Sequence, residues 1–341
     1  MALSPQVDDG AWPAKAFSGE VIPFRATAFR EGHDLIGVDL LLLDPNGAQT
    51  EYRMKAIAPG TDRWEVLVQL ETEGLWRYRI QAYGDEYATW LHNATVKVPA
   101  GVDVELMFTM GHGLLERAAA DKRRSTAERR HIGEAAKVVA DTSKTPEERL
   151  AAATDARVVG VLDARPVVSL PTLSPTRSIL VERTRAGVGS WYEFFPRSEG
   201  AKKQPDGSWK SGTFRSAAKR LPEVAAMGFD VVYLPPIHPI GHEFRKGPNN
   251  TLNAGPNDPG SPWAIGSAEG GHDAIHPDLG LEKDFVFFVG KAKQAGLEVA
   301  LDLALQAAPD HPWVKKHPEW FTTLPDGTIA YAENPPKKYQ D

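Results

Sequence analysis

The period of the apolar residues changes twice along this chain, and each change marks a passage between kinds of structure that one layer cannot hold. From about Gly19 to Ala100 the period is two. Trp76, Tyr78, Ile80 and Ala82 alternate with Arg77, Arg79 and Gln81, and Trp64, Val66, Val68 and Leu70 alternate with Glu65, Leu67 and Gln69. This is the pattern of strands with one buried face. Turn residues separate the runs at Asp44-Pro45-Asn46-Gly47, Pro59-Gly60 and Gly84-Asp85. The expected closure is a small β-sandwich over residues 1–101.

Between Val102 and Asp163 the composition shifts to Ala, Glu, Arg and Lys, which favour helices. Ser125 with Glu128, and Thr145-Pro146 with Glu148, read as capping boxes. Alternation resumes from Ser169 to Arg183, so residues 102–163 are expected as a helical insertion and 164–188 as a returning sandwich strand and linker. From Ser190 the order becomes strand (190–196), helix (213–227), strand (230–234), long loop, helix (285–295) and strand (297–305). That order predicts the first part of a (β/α)8 TIM barrel over 189–341. The fold class expected is therefore multidomain, β plus α/β.

At 341 residues, with 42% hydrophobic and 25% charged residues, the chain has ordinary globular composition. Its formal charge of -6 gives no general attraction for nucleic acid, so no such partner is expected. There are no cysteines, which excludes disulfides and thiolate chemistry. Met1 to Phe17 carries no signal-like apolar core, and no apolar run is long enough to span a bilayer. The expectation is a cytoplasmic protein without membrane contact.

In a parallel barrel the residues just past each strand face the active site. Pro196-Arg197-Ser198, Pro235-Pro236-Ile237-His238-Pro239 and Asp302 to Gln306 occupy those places. The blocks 191–198, 227–237, Gly271-His272-Asp273 with Leu279-Gly280, and 296–302 resemble the first three barrel strands of the α-amylase superfamily. Within it, 238–241, Arg245-Lys246-Gly247, 249–252, 262–267 and 333–341 resemble the α-1,4-glucan:maltose-1-phosphate maltosyltransferases. Amylases commonly place Asn-His after the third-strand Asp and three further residues. Here Gln306-Ala307 follows Asp302, and the maltosyltransferases share that Gln.

The resemblance implies an enzyme that transfers maltosyl units from α-maltose 1-phosphate to the non-reducing end of α-1,4-glucans, with retention and release of phosphate. Lys246, Gln306 and Asp341 match family positions that contact the maltosyl group, and Lys337 and Tyr339 match positions that touch the phosphate. A carboxylate and an amide suit sugar hydroxyls; a lysine and a tyrosine suit a phosphate dianion. Asp302 is expected to support the floor of this site. Retaining transfer needs two carboxyl groups about 5 Å apart, and the family takes both from later strands. No catalytic residue is therefore assigned among the 341, and the chain is expected to be an N-terminal fragment, inactive alone. Neither metal nor cofactor is expected, and the family implies a homodimer through the N-terminal domain.

Other readings stay open at this level. An α-amylase, branching or debranching enzyme would use the same barrel, and a non-catalytic binding or assembly module would consist of the sandwich and helices with an incomplete barrel. Without the resemblance, Lys246 and Lys337 read as solvated surface lysines, Gln306 as a buried amide bonded to backbone, and Asp341 as a frayed end. His272 and His276 have zinc-ligand spacing, but Gly270, Gly271 and Pro277 exclude the helix it requires. Asn93-Ala94-Thr95 fits a glycosylation acceptor only in a secreted loop, and Gly187-Val188-Gly189 reads as a linker.

Overall fold

The alternating residues become sheet. In a computed structural model, which describes residues 2–58 and 60–331, the strand Gly74–Asp85 buries Tyr78 and Ile80 and exposes Arg77. The strand Arg63–Leu70 buries Val68 and Leu70. Gly74–Asp85 runs in a six-stranded sheet between Ile36–Leu43 and Arg177–Glu182. Arg63–Leu70 lies beside Glu20–Thr27 in a four-stranded sheet. Side chains from both sheets enter one core: Phe24 of the smaller sheet meets Tyr78 of the larger edge-on, with ring centroids 5.1 Å apart. Burying an aromatic of this size contributes roughly 1.5–3 kcal/mol. At Asp44-Pro45-Asn46-Gly47 the chain turns as expected, and the Asp44 carboxylate accepts from the backbone of Asn46 and Ala48, both at 2.8 Å.

Gly84-Asp85 is not a turn. Both residues continue the strand, and Asp85 then caps the helix α1, Glu86–Lys97, by accepting from the Ala88 amide. Gly84 is required for a different reason: a Cβ there would collide with the Ser169 hydroxyl of the neighbouring strand. Helix thus begins at Glu86, and the period-two reading fails over its last part because Tyr87, Trp90 and Ala94 are buried at helical spacing.

Four further helices follow in this unit: α2, Val104–Ala120; α3, Thr126–Ala140; α4, Pro146–Ala153; and α5, Ala156–Ala164. Both expected capping boxes form, at Ser125 with Glu128 and at Thr145 with Glu148. The helices close on their own core of Trp90, Phe108, Leu115, Ile132, Val139 and Leu162. Arg149 is buried there with its charge answered. It donates to the Val139 carbonyl (2.8 Å) and the Glu105 carboxylate (2.8 Å) and stacks over Phe108. The strand before the helices, Gly74–Asp85, pairs antiparallel with the strand after them, Val168–Leu173, so the excursion leaves from and returns to one ladder. Asn93-Ala94-Thr95 lies within α1, where the Thr95 hydroxyl bonds the Leu91 carbonyl.

The chain divides into two compact units at Gly187 and Val188, within the glycine-containing link. In the second unit Trp191–Glu193, Val231–Leu234 and Glu298–Leu301 form a parallel sheet in chain order. The helical segment after the first strand is broken into Phe214–Ala217, a 3-10 turn and Leu221–Ala226, with Pro222 in the first turn of the last piece. Glu282–Gln294 forms one helix. Phe194, Phe214, Leu234 and Phe288 make the core beneath the sheet.

The third strand is shorter than expected. It ends at Leu301, and Leu303 and Leu305 are 82% and 78% exposed. Its partner stops at Leu234 and continues as Pro235-Pro236, which offer no N–H to extend the ladder. No helix among the described residues is long and apolar enough to cross a membrane.

Candidate functional site at the exits of the parallel strands

Because the three strands are parallel, their exits lie at one end of the sheet, and the segments that follow are brought together there. Asp302 leaves the third strand with its amide donating to the Leu234 carbonyl at 3.0 Å. Its carboxylate accepts from the Trp263 indole at 2.7 Å. The Tyr233 hydroxyl is held above its ordinary pKa, first by desolvation and then by its hydrogen bond to Asp302. Asp302 therefore ties the second strand, the third strand and the long loop to one another.

That loop, between Leu234 and the 3-10 turn at Pro277, is knitted to the segment after Asp302. Within the loop the Gly241 amide donates to Ala264 (2.8 Å) and Gly266 to Pro239 (2.7 Å); across to the later segment Ala308 donates to Ile265 (2.6 Å), and the His242 amide donates to the Asp310 carboxylate (2.9 Å). Ile240, Ala264 and Ala308 form a small apolar cluster at the crossing.

Lys246 lies in the loop and is 4% exposed, so it is not a solvated surface lysine. The backbone on either side of it is fixed. The Arg245 guanidinium donates to the carbonyls of Gly241 (2.9 Å), Ile240 (3.0 Å) and Asp258 (3.2 Å). The Gly247 amide donates to Thr251 at 2.9 Å. Phe244, Asn249 and Asn250 take positive φ of 53°, 53° and 62°, a conformation that costs free energy and persists where surroundings enforce it. Lysine is seldom buried to this degree unless its ammonium has a partner, so the loop fixes the side chain as well as the backbone. Gln306 is half-buried in the irregular segment after the third strand, directly before the buried Ala307 and Ala308. Lys246 and Gln306 thus stand on two interlocked segments at the same end of the sheet. Lys337, Tyr339 and Asp341 lie outside the described residues.

A cavity of about 680 Å³ opens beside these segments, with Arg197, Trp209, Arg245, Glu269, His276 and Asp278 in its wall. Neither Lys246 nor Gln306 lines it. Arg197, just past the first strand, pairs with Asp278 at 3.3 Å, and burial followed by repulsion from Arg245 lowers its pKa despite that pair. His276 is pushed down to about 4, by burial first and by Arg197 next. It is accordingly neutral, and its Nδ1 accepts from the Asp278 amide at 3.1 Å. Arg197 is marked by its place after a strand; His276 stands out in sequence only for its spacing from His272, and nothing local points to this cavity, because its surroundings come from separate loops. His272 and His276 do not share a centre, since His272 bonds the Ala304 carbonyl and His311 instead. No cluster of His, Cys, Asp and Glu suited to a metal occurs among the described residues.

Two cores of β and helix, followed by parallel strands whose exits carry a buried lysine and an amide, describe a multidomain β plus α/β protein. A family model for alpha-1,4-glucan:maltose-1-phosphate maltosyltransferase, domain N/S, matches residues 1–183, more than half of the chain, which belongs to that family. Among curated proteins it is 54% identical to alpha-1,4-glucan:maltose-1-phosphate maltosyltransferase 1 of Streptomyces coelicolor, over 99% of this chain and 50% of that one. It is 45% identical to the Mycobacterium tuberculosis protein of the same name, over 99% of this chain and 52% of that one. The chain therefore spans about half the length of these relatives. Among solved structures, an α-amylase from Lactobacillus plantarum aligns with 45% of this chain and 31% of its own, at 28% identity and a TM-score of 0.35, too loose a superposition to add to the strand order.

Proposed function

We propose that this chain carries donor-binding residues of a retaining glycosyltransferase that moves maltosyl units from α-maltose 1-phosphate to the non-reducing end of α-1,4-glucans and releases phosphate. The observation that carries this reading is Lys246, which is buried in a loop pinned by Arg245 and interlocked with the segment bearing Gln306. The names and identity levels of the relatives support it. Lys246, Gln306 and Asp341 would hold the maltosyl group, and Lys337 and Tyr339 the phosphate. Asp302 would hold the site's floor through Trp263. The nucleophilic and acid/base carboxyl groups are expected outside the residues assigned here.

The same reading takes the two sheets of the first unit as a β-sandwich, interrupted by a helical insertion that the sequence places at 102–163 and that α1 extends back to Glu86. The common core of the two sheets supports it. It takes 189–341 as the start of a (β/α)8 barrel, supported by three parallel strands in chain order. A homodimer would use the helical part, where Val102, Leu106 and Met110 are exposed together on α2 and the residues before it. The protein would work in the cytoplasm.

The test is phosphate release by the full-length coding product given maltose 1-phosphate and maltohexaose. Phosphate should appear in step with oligosaccharides lengthened by two glucose units. Shortening of maltohexaose without any need for maltose 1-phosphate would favour a hydrolase and sink the proposal.

A further inference from the structure

Three imidazole rings and one indole pack around His272 among the segments that follow the second and third parallel strands. His272 stacks on Trp313 with centroids 5.3 Å apart and planes 14° from parallel, and His238 and His311 flank it at 5.5 Å and 5.2 Å. His311 is 1% exposed and is pressed between Gly266 and Gly271, where a Cβ on either would strike its ring.

The hydrogen bonds among these groups allow one direction only. The Trp313 amide can only donate, so His311 Nδ1 accepts its bond, at 3.0 Å. With Nδ1 occupied as acceptor, neutral His311 carries its proton on Nε2 and donates to His272 Nδ1, at 3.1 Å. His272 must then carry its own proton on Nε2, and it donates to the Ala304 carbonyl at 2.7 Å. A carbonyl can only accept, so the chain terminates there. Burial, with His272 next, pushes His311 down to about 4, which keeps it in the neutral form this order requires. Ala304 lies two residues before Gln306, in the segment that has left the sheet at Leu301 and has no ladder to hold it.

We propose that His272, locked in its Nε2–H tautomer by His311 and Trp313, is a positioning residue that fixes the Ala304 carbonyl and thereby places Gln306. No proton is transferred. The relay acts as a directional clamp in place of the missing strand hydrogen bonds, and its use in donor binding rests on the reading of Gln306 given above.

The test uses the full-length enzyme. In 15N-histidine spectra, the His272 and His311 rings, assigned by their loss in substituted proteins, should both show Nε2-protonated, Nδ1-unprotonated tautomers at pH 7.5. An Nδ1-protonated ring at either residue overturns the relay, whatever the protein binds. Kinetically, His272→Gln keeps an N–H where Nε2 stood, whereas His272→Asn reaches only as far as Nδ1. His272→Asn should raise the KM for maltose 1-phosphate about tenfold with the acceptor KM unchanged, and His272→Gln should recover most of that loss. Equal donor KM values in both variants and the parent, while Gln306→Ala raises it, would overturn the positioning role. If Gln306→Ala itself leaves the donor KM unchanged, the reading of Gln306 fails and the positioning role with it, while the ring tautomers still decide whether the clamp exists.

Discussion

The two units use strands in opposite ways. In the first, each long strand has a ladder partner and its inward residues meet a second sheet, so Phe24, Leu40, Leu70 and Ile80 are wholly excluded from water. In the second, three short parallel strands cover one core; Leu301 at the end of the last strand is 43% exposed, and Leu303 and Leu305 beyond it are 82% and 78% exposed. The first unit's structure is a matter of packing. The second unit's strand exits are held by side-chain and loop hydrogen bonds, from Trp263 to Asp302, from Arg245 to three carbonyls and from His272 to Ala304. Groups held that way sit at fixed positions without being buried in apolar contacts, which is what binding a polar ligand requires.

The sharpest way to break this contrast is to delete comparable apolar groups on both sides of it. Phe24→Ala should cost about 3–5 kcal/mol in chemical denaturation of the chain, because it empties a core position that cannot refill. Leu305→Ser should change stability by less than about 0.5 kcal/mol. A large loss from the second substitution would mean that the exposed leucines are covered, and the contrast would fail.

Acidity should move the units in opposite directions. Burial pushes Asp39 up to about 6, against the lowering effect of the Tyr83 hydroxyl and Arg53. The folded state then binds this proton more tightly than the unfolded chain, whose value is 3.8, and stability from Asp39 falls as pH rises from about 4 to about 6. His276 and His311 are each pushed down to about 4 from 6.5, by burial first. The folded state binds those protons less tightly, so stability from them is lost as pH falls from about 6.5 to about 4. Native-state hydrogen exchange, corrected for the intrinsic rate, should show protection of the Ile80 amide weakening across that window as pH rises. Protection at Val232 should weaken as pH falls. Asp39→Asn should flatten the first slope and leave the second.

A smaller effect separates local from tertiary stabilisation. Ser125→Ala and Thr145→Ala each remove one side of a capping box and should cost about 1 kcal/mol each. Their effects should add, since each box serves a different helix.

These cases also show what could be read beforehand. Strands with Tyr78 and Ile80 alternating against arginines were legible, because one buried face leaves its period in the sequence. So were the boxes at Ser125 and Thr145, whose partners lie three residues away. Helix α1 is not legible, because aromatic Tyr87 and Trp90 continue the look of a strand while their spacing changes. The sequence overstates the third parallel strand, because Leu301, Leu303 and Leu305 alternate as a strand would. What ends it is Pro235-Pro236 on the neighbouring strand, a limit that only the pairing reveals. Lys246 and Gln306 are legible only through the family resemblance; their sequence neighbours alone suggest an exposed lysine and an ordinary buried amide. The histidine clamp joins His272 of the long loop to Ala304 and His311 of the segment after the third strand; its local part, His311 capping the short helix Pro312–Lys316 at the Trp313 amide, says nothing of the partner at 272.

The central claim is that the polar strand exits, with the buried Lys246 among them, form a donor site. Its most direct test is the full-length enzyme with Lys246→Met, which keeps most of the side-chain volume and removes the charge. With maltohexaose saturating, kcat/KM for maltose 1-phosphate should fall about a hundredfold while the melting temperature stays within about 4 °C of the parent. An unchanged kcat/KM in a protein of unchanged stability would contradict the assignment of this site.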